Sequence, residues 1–334
     1  MTKVKIIAEA GPNHNGSLKL AYKLVDMAKR CGADYVKFQT SIPELHISRF
    51  ARKAKYQKKN TKKNESQLDM AKKIILSYNE FKKLNLYCKK KKIKFLSTAF
   101  DLKSINFLKK FNMDFFKIPS GEITNYMYLE EIGKIKKKVV LSTGMANLNE
   151  ISDAIKILVR KGTKKKNITV MHCNTEYPTP MNDVNLKAMV TIKNKLKVDV
   201  GYSDHTEGTD VPPAAVALGA SIIEKHVTLD KSMRGPDHKA SLTEKELDLM
   251  VKRIRKTETL LGTSVKKITQ SEKRNIKIAR NSLVAKKYIK KGQRFSLENL
   301  TAKRPATGIS PMKIKKIIGK KAKKNFIYDE LIKI

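Results

Sequence analysis

Short runs rich in β-branched and aromatic residues alternate, eight times over, with longer amphipathic stretches. The strand-like runs are Val4–Ala8, Tyr35–Phe38, Phe95–Thr98, Phe115–Ile118, Val139–Ser142, Thr169–His172, Val198–Tyr202 and Ser221–Val227. The helical patterns between them cover Ser17–Cys31, Ser66–Lys92, Leu102–Phe111, Thr124–Lys137, Leu148–Lys161, Asn182–Lys197 and Thr209–Leu218, and Thr243–Leu261 follows the last strand. Strands separated by helices cannot form hairpins, so such an order predicts a parallel sheet. Eight units within the first 262 residues match the count and size of a (β/α)8 TIM barrel. Ser66, Thr124 and Thr243, the last with Glu246 three residues on, are the expected helix caps.

The period stops after Gly262. Residues 263–279 are polar and Lys-rich and read as a linker, and residues 280–334 read as a separate small module. That module has strand-like pieces at Ser282–Ala285 and Arg294–Ser296, turns at Lys291-Gly292 and Thr307-Gly308, and a helix at Met312–Ile318. No apolar run is long enough to span a membrane, and the N-terminal residues lead straight into a strand pattern without a secretory signal. Cys31, Cys88 and Cys173 are far apart and outside any C-x-x-C, as expected of reduced thiols in a cytoplasmic protein.

The net charge of +41 raises a nucleic-acid-binding class. Of the 72 basic residues, however, only 11 are Arg, the residue that forks onto phosphates and reads bases. The 61 lysines lie in small clusters along the whole chain, such as Lys89 to Lys92 and Lys164 to Lys166, instead of forming one binding arm. A Lys-rich solvated surface that speeds capture of an anionic substrate is the preferred reading, with no nucleic-acid partner.

Active sites of such barrels sit where the strands end. Here every strand ends in polar groups: Glu9; Lys37 and Gln39; Ser97 and Thr98; Lys117, Ser120 and Glu122; Ser142, Thr143 and Gly144; His172, Asn174, Thr175, Glu176 and Tyr177; Ser203, Asp204 and His205; Glu224, Lys225 and His226. Lys37 and Lys117 could be surface lysines, but a closed parallel barrel has no edge strand to expose them. Two inward lysines among hydroxyls suit a phosphate and a carboxylate. The Ser142-Thr143-Gly144 turn could cap the next helix or bind an anion. His205 and His226, 21 residues apart on consecutive strand ends with Glu9 and Asp237 near, could hold a divalent cation with open positions or be satisfied core residues. A Schiff-base aldolase on Lys117 or Lys225 is the rival enzyme class.

Seven segments together resemble the bacterial sialic acid (nonulosonic acid) synthases. They are Ile7-Ala8-Glu9-Ala10-Gly11-Pro12-Asn13-His14-Asn15-Gly16, Val36-Lys37-Phe38-Gln39-Thr40, Lys117-Ile118-Pro119-Ser120-Gly121-Glu122, Leu141-Ser142-Thr143-Gly144-Met145, His172-Cys173-Asn174-Thr175-Glu176-Tyr177-Pro178, Tyr202-Ser203-Asp204-His205, and Glu224-Lys225-His226 with Gly235-Pro236-Asp237-His238. Lys303-Arg304-Pro305 and Gly308-Ile309-Ser310 resemble that family's antifreeze-like (SAF) domain.

The resemblance implies condensation of phosphoenolpyruvate with the open-chain aldehyde of an N-acylated mannosamine-type sugar. The products would be a nine-carbon 2-keto acid and phosphate. N-acetylneuraminate synthase is the first expectation. The alternative is N,N'-diacetyllegionaminate synthase, acting on 2,4-diacetamido-2,4,6-trideoxymannose. By resemblance His205 and His226 would hold Mn2+ or Mg2+. Lys37, Thr98, Lys117, Ser120, Ser142, Asn174 or Thr175, and Ser203 would bind phosphoenolpyruvate. Glu9, Gln39, Asn60, Tyr177 and Asp237 would hold the sugar, and Glu122 would manage protons. Arg304 would reach into the barrel of a second subunit to bind phosphoenolpyruvate there, making a homodimer part of the site.

Overall fold

Each of the eight predicted strands is almost continuously buried, the mark of a parallel sheet covered on both faces. In the computed structural model, which describes residues 3–61 and 65–334, they are β1 (Lys5–Gly11), β2 (Tyr35–Thr40), β3 (Lys94–Ala99), β4 (Phe116–Ile118), β5 (Val139–Ser142), β6 (Ile168–Cys173), β7 (Asp199–Asp204) and β8 (Ile222–His226). They pair in the order β3-β2-β1-β8-β7-β6-β5-β4, every pair parallel. β3 and β4 lie side by side and close the sheet into a (β/α)8 TIM barrel.

Helices such as Leu18–Arg30, Leu148–Arg160 and Glu244–Leu261 lay apolar faces on this cylinder. Leu24, Val25, Ile151, Leu158, Leu247 and Ile254 pack there in one core with Ile6, Phe38 and Val170. Burying each such side chain contributes about 2 kcal/mol relative to leaving it in water. Strand register aligns the chemistry: Glu9 pairs with Lys37 on one side and His226 on the other, and Ser203 pairs with Glu224. A bulge between Glu9 and Gly11 ends β1, with Gly11 at φ 45°, a conformation that disfavours a side chain.

Local chemistry moved several boundaries. The pattern at Ser66–Lys92 divides into helices Gln67–Ile74 and Tyr78–Lys90. Ser66 caps the first; Ser77 and Glu80 form a reciprocal capping box that starts the second. Asn125, not Thr124, caps the helix Tyr126–Lys134. The pattern at Asn182–Lys197 becomes helical only at Lys187, after Asn185 with φ 42°. Thr243 caps as expected, its backbone N–H and hydroxyl both donating to Glu246.

The chain divides into two compact units, Met1–Gly262 and Thr263–Ile334. The second has its own small core of Leu283, Ile289, Phe295, Leu300, Phe326 and Ile332, around an antiparallel pair β9 (Ser282–Ala285) and β10 (Leu300–Lys303). Arg294–Ser296 forms only an isolated bridge, Arg294 to Lys321, and a 3-10 helix at Pro311–Lys316 stands where a helix at Met312–Ile318 was expected. The stretch expected as a linker contains short helices at Gln270–Lys273 and Ile276–Ala279.

Candidate active site

A cavity of about 720 Å³ opens at the C-terminal ends of the strands. Its floor is a chain of opposite charges. Lys37 Nζ lies 2.7 Å from Glu9 Oε2 and 3.6 Å from Glu224 Oε2, and Lys117 Nζ lies 3.0 Å from Glu224 Oε1. Thr98 accepts from Lys37 at 3.1 Å, Ser203 donates to Glu224 at 3.1 Å, and Gln39 donates to Glu9 at 3.1 Å. All four charged groups are buried, and each has an opposite charge beside it. Burial alone would raise the Glu224 carboxyl, but Lys117 and Lys37 outweigh it and bring its pKa to about 2. Burial likewise opposes charge on Lys37, and Glu224 with Glu9 reverses the effect and raises its pKa. Glu9 answers chiefly to burial, which raises its pKa against the pull of Lys37.

Beside this floor stand two imidazoles, His205 and His226, with ring centroids 5.3 Å apart. His205 Nδ1 contacts the Asn174 carbonyl oxygen. A carbonyl can only accept, so the proton sits on Nδ1 and Nε2 keeps its lone pair. Tyr177 and Ser203 hydroxyls approach that Nε2 at 3.2 and 3.4 Å. Burial lowers the His205 pKa to about 4 and also holds that of His226 well below the ordinary imidazole value, keeping both rings in the neutral, ligating form. His226 Nδ1 is buried without a hydrogen bond and lies 3.5 Å from Asp237 Oδ2. Among the described residues no three His, Cys, Asp or Glu groups converge as a closed metal centre. Two neutral imidazoles with an orphaned ring nitrogen fit a divalent cation whose remaining positions belong to water or substrate.

The hydroxyl-bearing turns complete the wall. The helix after β5 is capped by Asn147 with Glu150, so Ser142-Thr143-Gly144 is not a helix cap. The Gly144 amide donates instead to Ser120 Oγ at 3.0 Å. A Cβ on Gly144 would fall 2.4 Å from Thr175 Cγ2, so the close approach of these two turns requires glycine. Ser142 Oγ is buried with no partner, a hydroxyl free for a ligand.

Of the residues expected from sequence, Glu9, Lys37, Gln39, Thr98, Lys117, Ser120, Ser142, Thr175, Ser203, Tyr177, His205, His226 and Asp237 line the cavity. Four expected residues lie elsewhere. Glu122 is outside the lining, its carboxylate accepting from Asn125 Nδ2 at 2.6 Å within the same turn. Asn174 turns its side chain to the Glu176 amide, which leaves the cavity to Thr175. Asn60 donates to the Pro236 carbonyl at 2.9 Å and so holds the loop bearing Asp237. Arg304 is exposed, in the second unit.

The structure adds Glu224, which had been noted at a strand end without a role. Glu224 and His226 are two apart on β8 and so share the inward face, a period-2 signal present in the sequence. Lys225, between them, points away: it is fully buried against Asp204 at 2.5 Å and the Thr206 carbonyl at 2.6 Å, outside the cavity lining. Lys117 is occupied by Glu224, so neither lysine proposed for a Schiff base is a free amine.

A buried floor of alternating charges, unpartnered polar atoms and paired imidazoles at the strand ends of a TIM barrel define a candidate enzyme active site. The NeuB family model matches residues 24–266 and the SAF domain model matches residues 280–334. This chain belongs to the NeuB family of sialic acid synthases and carries a SAF domain. It is 55% identical over 333 residues, covering 100% of both chains, to N,N'-diacetyllegionaminic acid synthase of Campylobacter jejuni. A synthase of the same name from Legionella pneumophila is 42% identical, covering 96% of this chain and 90% of that protein. Human N-acetylneuraminate-9-phosphate synthase is 34% identical, covering 95% and 88%. Among solved structures, the N-acetylneuraminic acid synthetase of Leptospira borgpetersenii, crystallised with citrate, superposes with a TM-score of 0.72 at 34% identity. That match covers 82% of this chain and 90% of that one.

Proposed function

We propose that this protein condenses phosphoenolpyruvate with 2,4-diacetamido-2,4,6-trideoxymannose to give N,N'-diacetyllegionaminate and phosphate. The observation that carries the chemistry is the buried Glu9–Lys37–Glu224–Lys117 floor beside two neutral histidines. The choice of acceptor rests on similarity. Proteins named for the diacetylated product are 55% and 42% identical, against 34% for the N-acetylneuraminate-9-phosphate enzyme. The weight therefore shifts from the N-acetylneuraminate reading, the first expectation, to its alternative.

Phosphoenolpyruvate carries three negative charges when fully ionised. Lys37 and Lys117 supply cations within reach of hydroxyls on Thr98, Ser120, Ser142 and Ser203, and Ser142 has no competing partner. Glu224 sits between the two ammonium groups and offsets their mutual repulsion until the anion arrives. Carbon 3 of phosphoenolpyruvate bonds to the aldehyde carbon, whose oxygen takes a proton. Water adds to carbon 2, and collapse of that centre expels phosphate. A Mn2+ or Mg2+ ion held by His205 and His226 would supply Lewis acidity toward the aldehyde oxygen. Glu9, Gln39, Tyr177 and Asp237 orient sugar hydroxyls, and Asn60 fixes the Asp237 loop. Proton transfer falls to Glu9 and Asp237, cavity-lining carboxyl groups whose pKa burial raises, in place of Glu122.

The reading also includes a homodimer in which Arg304 serves the barrel of a partner copy. It places the enzyme in the cytoplasm, supported by three buried free thiols and, among the described residues, no helix long and apolar enough to cross a membrane. The test is phosphate release with each substrate and the metal omitted in turn. Release must require phosphoenolpyruvate, an acceptor and a divalent cation together. Release without the acceptor, or undiminished in chelator and in His226→Ala, would refute it.

A further inference from the structure

Three aromatic rings, His205, Tyr177 and Tyr56, contact one another in succession along the cavity wall. Tyr177 stacks on His205 at 4.1 Å between centroids, and Tyr56 follows at 5.1 Å from Tyr177. Tyr56 belongs to a short helix, Lys55–Asn60, that lies between β2 and the helix Gln67–Ile74. No strand-end argument reaches that helix. It is nevertheless held at the site: Asn60, at its end, donates to the Pro236 carbonyl beside Asp237. Tyr56 lines the same cavity as the floor, and its phenol pKa is raised by burial and then by the nearby Asp237 charge. A half-buried aromatic ring, one beyond the sugar-holding Tyr177, is a surface for something apolar and flat.

An open-chain sugar advances about 1.3 Å per bond along its carbon zigzag. With its aldehyde carbon beside His205, the substituent on carbon 2 stays near Tyr177. Carbon 4 lies three bonds, about 4 Å, from the aldehyde carbon, and an acetamido group on it extends toward the next ring. We infer that Tyr56 is a specificity-determining residue that receives the acetamido group on carbon 4 of the acceptor against its ring. This rests on the condensation proposed above and says which part of the substrate the outer ring reads. An amide plane and its methyl group pack on an aromatic face, whereas a lone hydroxyl at the same carbon gains little there and prefers water. The contact is made equally before and during reaction, so it acts on KM and not on kcat.

The test compares wild type, Tyr56→Leu and Tyr56→Phe with 2,4-diacetamido-2,4,6-trideoxymannose and with N-acetylmannosamine, at saturating phosphoenolpyruvate and Mn2+. Where N-acetylmannosamine is not turned over, its inhibition constant replaces its KM. Tyr56→Leu raises KM for the diacetamido sugar about tenfold, the scale of one lost packing contact in a binding pocket. Its kcat, the KM for phosphoenolpyruvate and the constant for N-acetylmannosamine change less than about twofold, and Tyr56→Phe stays near wild type. Equal losses with both sugars, or no loss in Tyr56→Leu, overturn the assignment while the proposed reaction stands. Wild-type enzyme inactive with both sugars removes the proposed reaction and this role with it.

Discussion

Lys225 and Asp204 form an ion pair whose side chains are 0% exposed, between β7 and β8, immediately before His226 and His205. Lys225 also donates to the Thr206 carbonyl, and Asp204 Oδ1 accepts from the Thr206 amide at 3.0 Å. Burial pulls the Lys225 pKa down and Asp204 opposes it, so the charge on the amine is held by its partner. Removing one member leaves the other charge sealed away from water, which costs about 3–5 kcal/mol, whereas removing both is often close to neutral. Lys225→Met is therefore expected to lower the melting temperature of the barrel transition by about 10 °C, at some 2–4 °C per kcal/mol for a domain of this size. Lys225→Met combined with Asp204→Leu should recover most of that loss. The assay is thermal and urea unfolding followed by circular dichroism, with the single and double variants as a cycle. A single variant within about 2 °C of wild type, or a double variant no better than the single, would refute the energetic reasoning.

Ser142→Ala removes a buried hydroxyl that has no partner in the free protein. The melting temperature should hold or rise slightly, while KM for phosphoenolpyruvate increases several-fold in steady-state assays; unchanged kinetics would free Ser142 from the anion site. His14 is buried, and burial lowers its pKa from 6.5 to about 4. The folded chain thus binds fewer protons than the unfolded chain below pH 6.5, so stability present above that pH is lost as pH falls toward 4, by roughly 3 kcal/mol. His14→Asn should flatten the decline of melting temperature over that window; a parallel decline would refute the assignment. If Arg304 completes the site of a partner copy, mixing inactive Arg304→Ala with inactive Lys117→Ala protein should restore part of the activity; no recovery would mean that Arg304 does not act across subunits.

The barrel was legible because its signal is periodic and repeated: every strand was found, and boundary errors were mostly of one to three residues. Errors arose where local chemistry competes with period. Ser77 with Glu80 broke a long helical pattern, and Asn125 outcompeted Thr124 as a cap. β10 escaped notice because its partner β9 lies some fifteen residues earlier, with no tight hairpin turn between them to mark the pairing. Most of the site was legible from the rule that polar residues at strand ends converge. Glu224 could have been assigned from its shared face with His226. Tyr56 could not, because a loop helix enters the site through tertiary packing alone. Sequence proximity to Ser120 does not say which way a turn residue points, and the Glu122 carboxylate accepts from Asn125 instead of joining the cavity lining.

The most direct test of the account is the product formed when purified protein, phosphoenolpyruvate and Mn2+ meet equal amounts of the two acceptors. The account predicts that the diacetamido sugar is consumed first and that its mass appears increased by a three-carbon 2-keto acid unit, with one phosphate released per sugar. A product made mainly from N-acetylmannosamine would return the protein to the neuraminate branch. Consumption of neither sugar by folded, metal-supplied protein would contradict the account at its root.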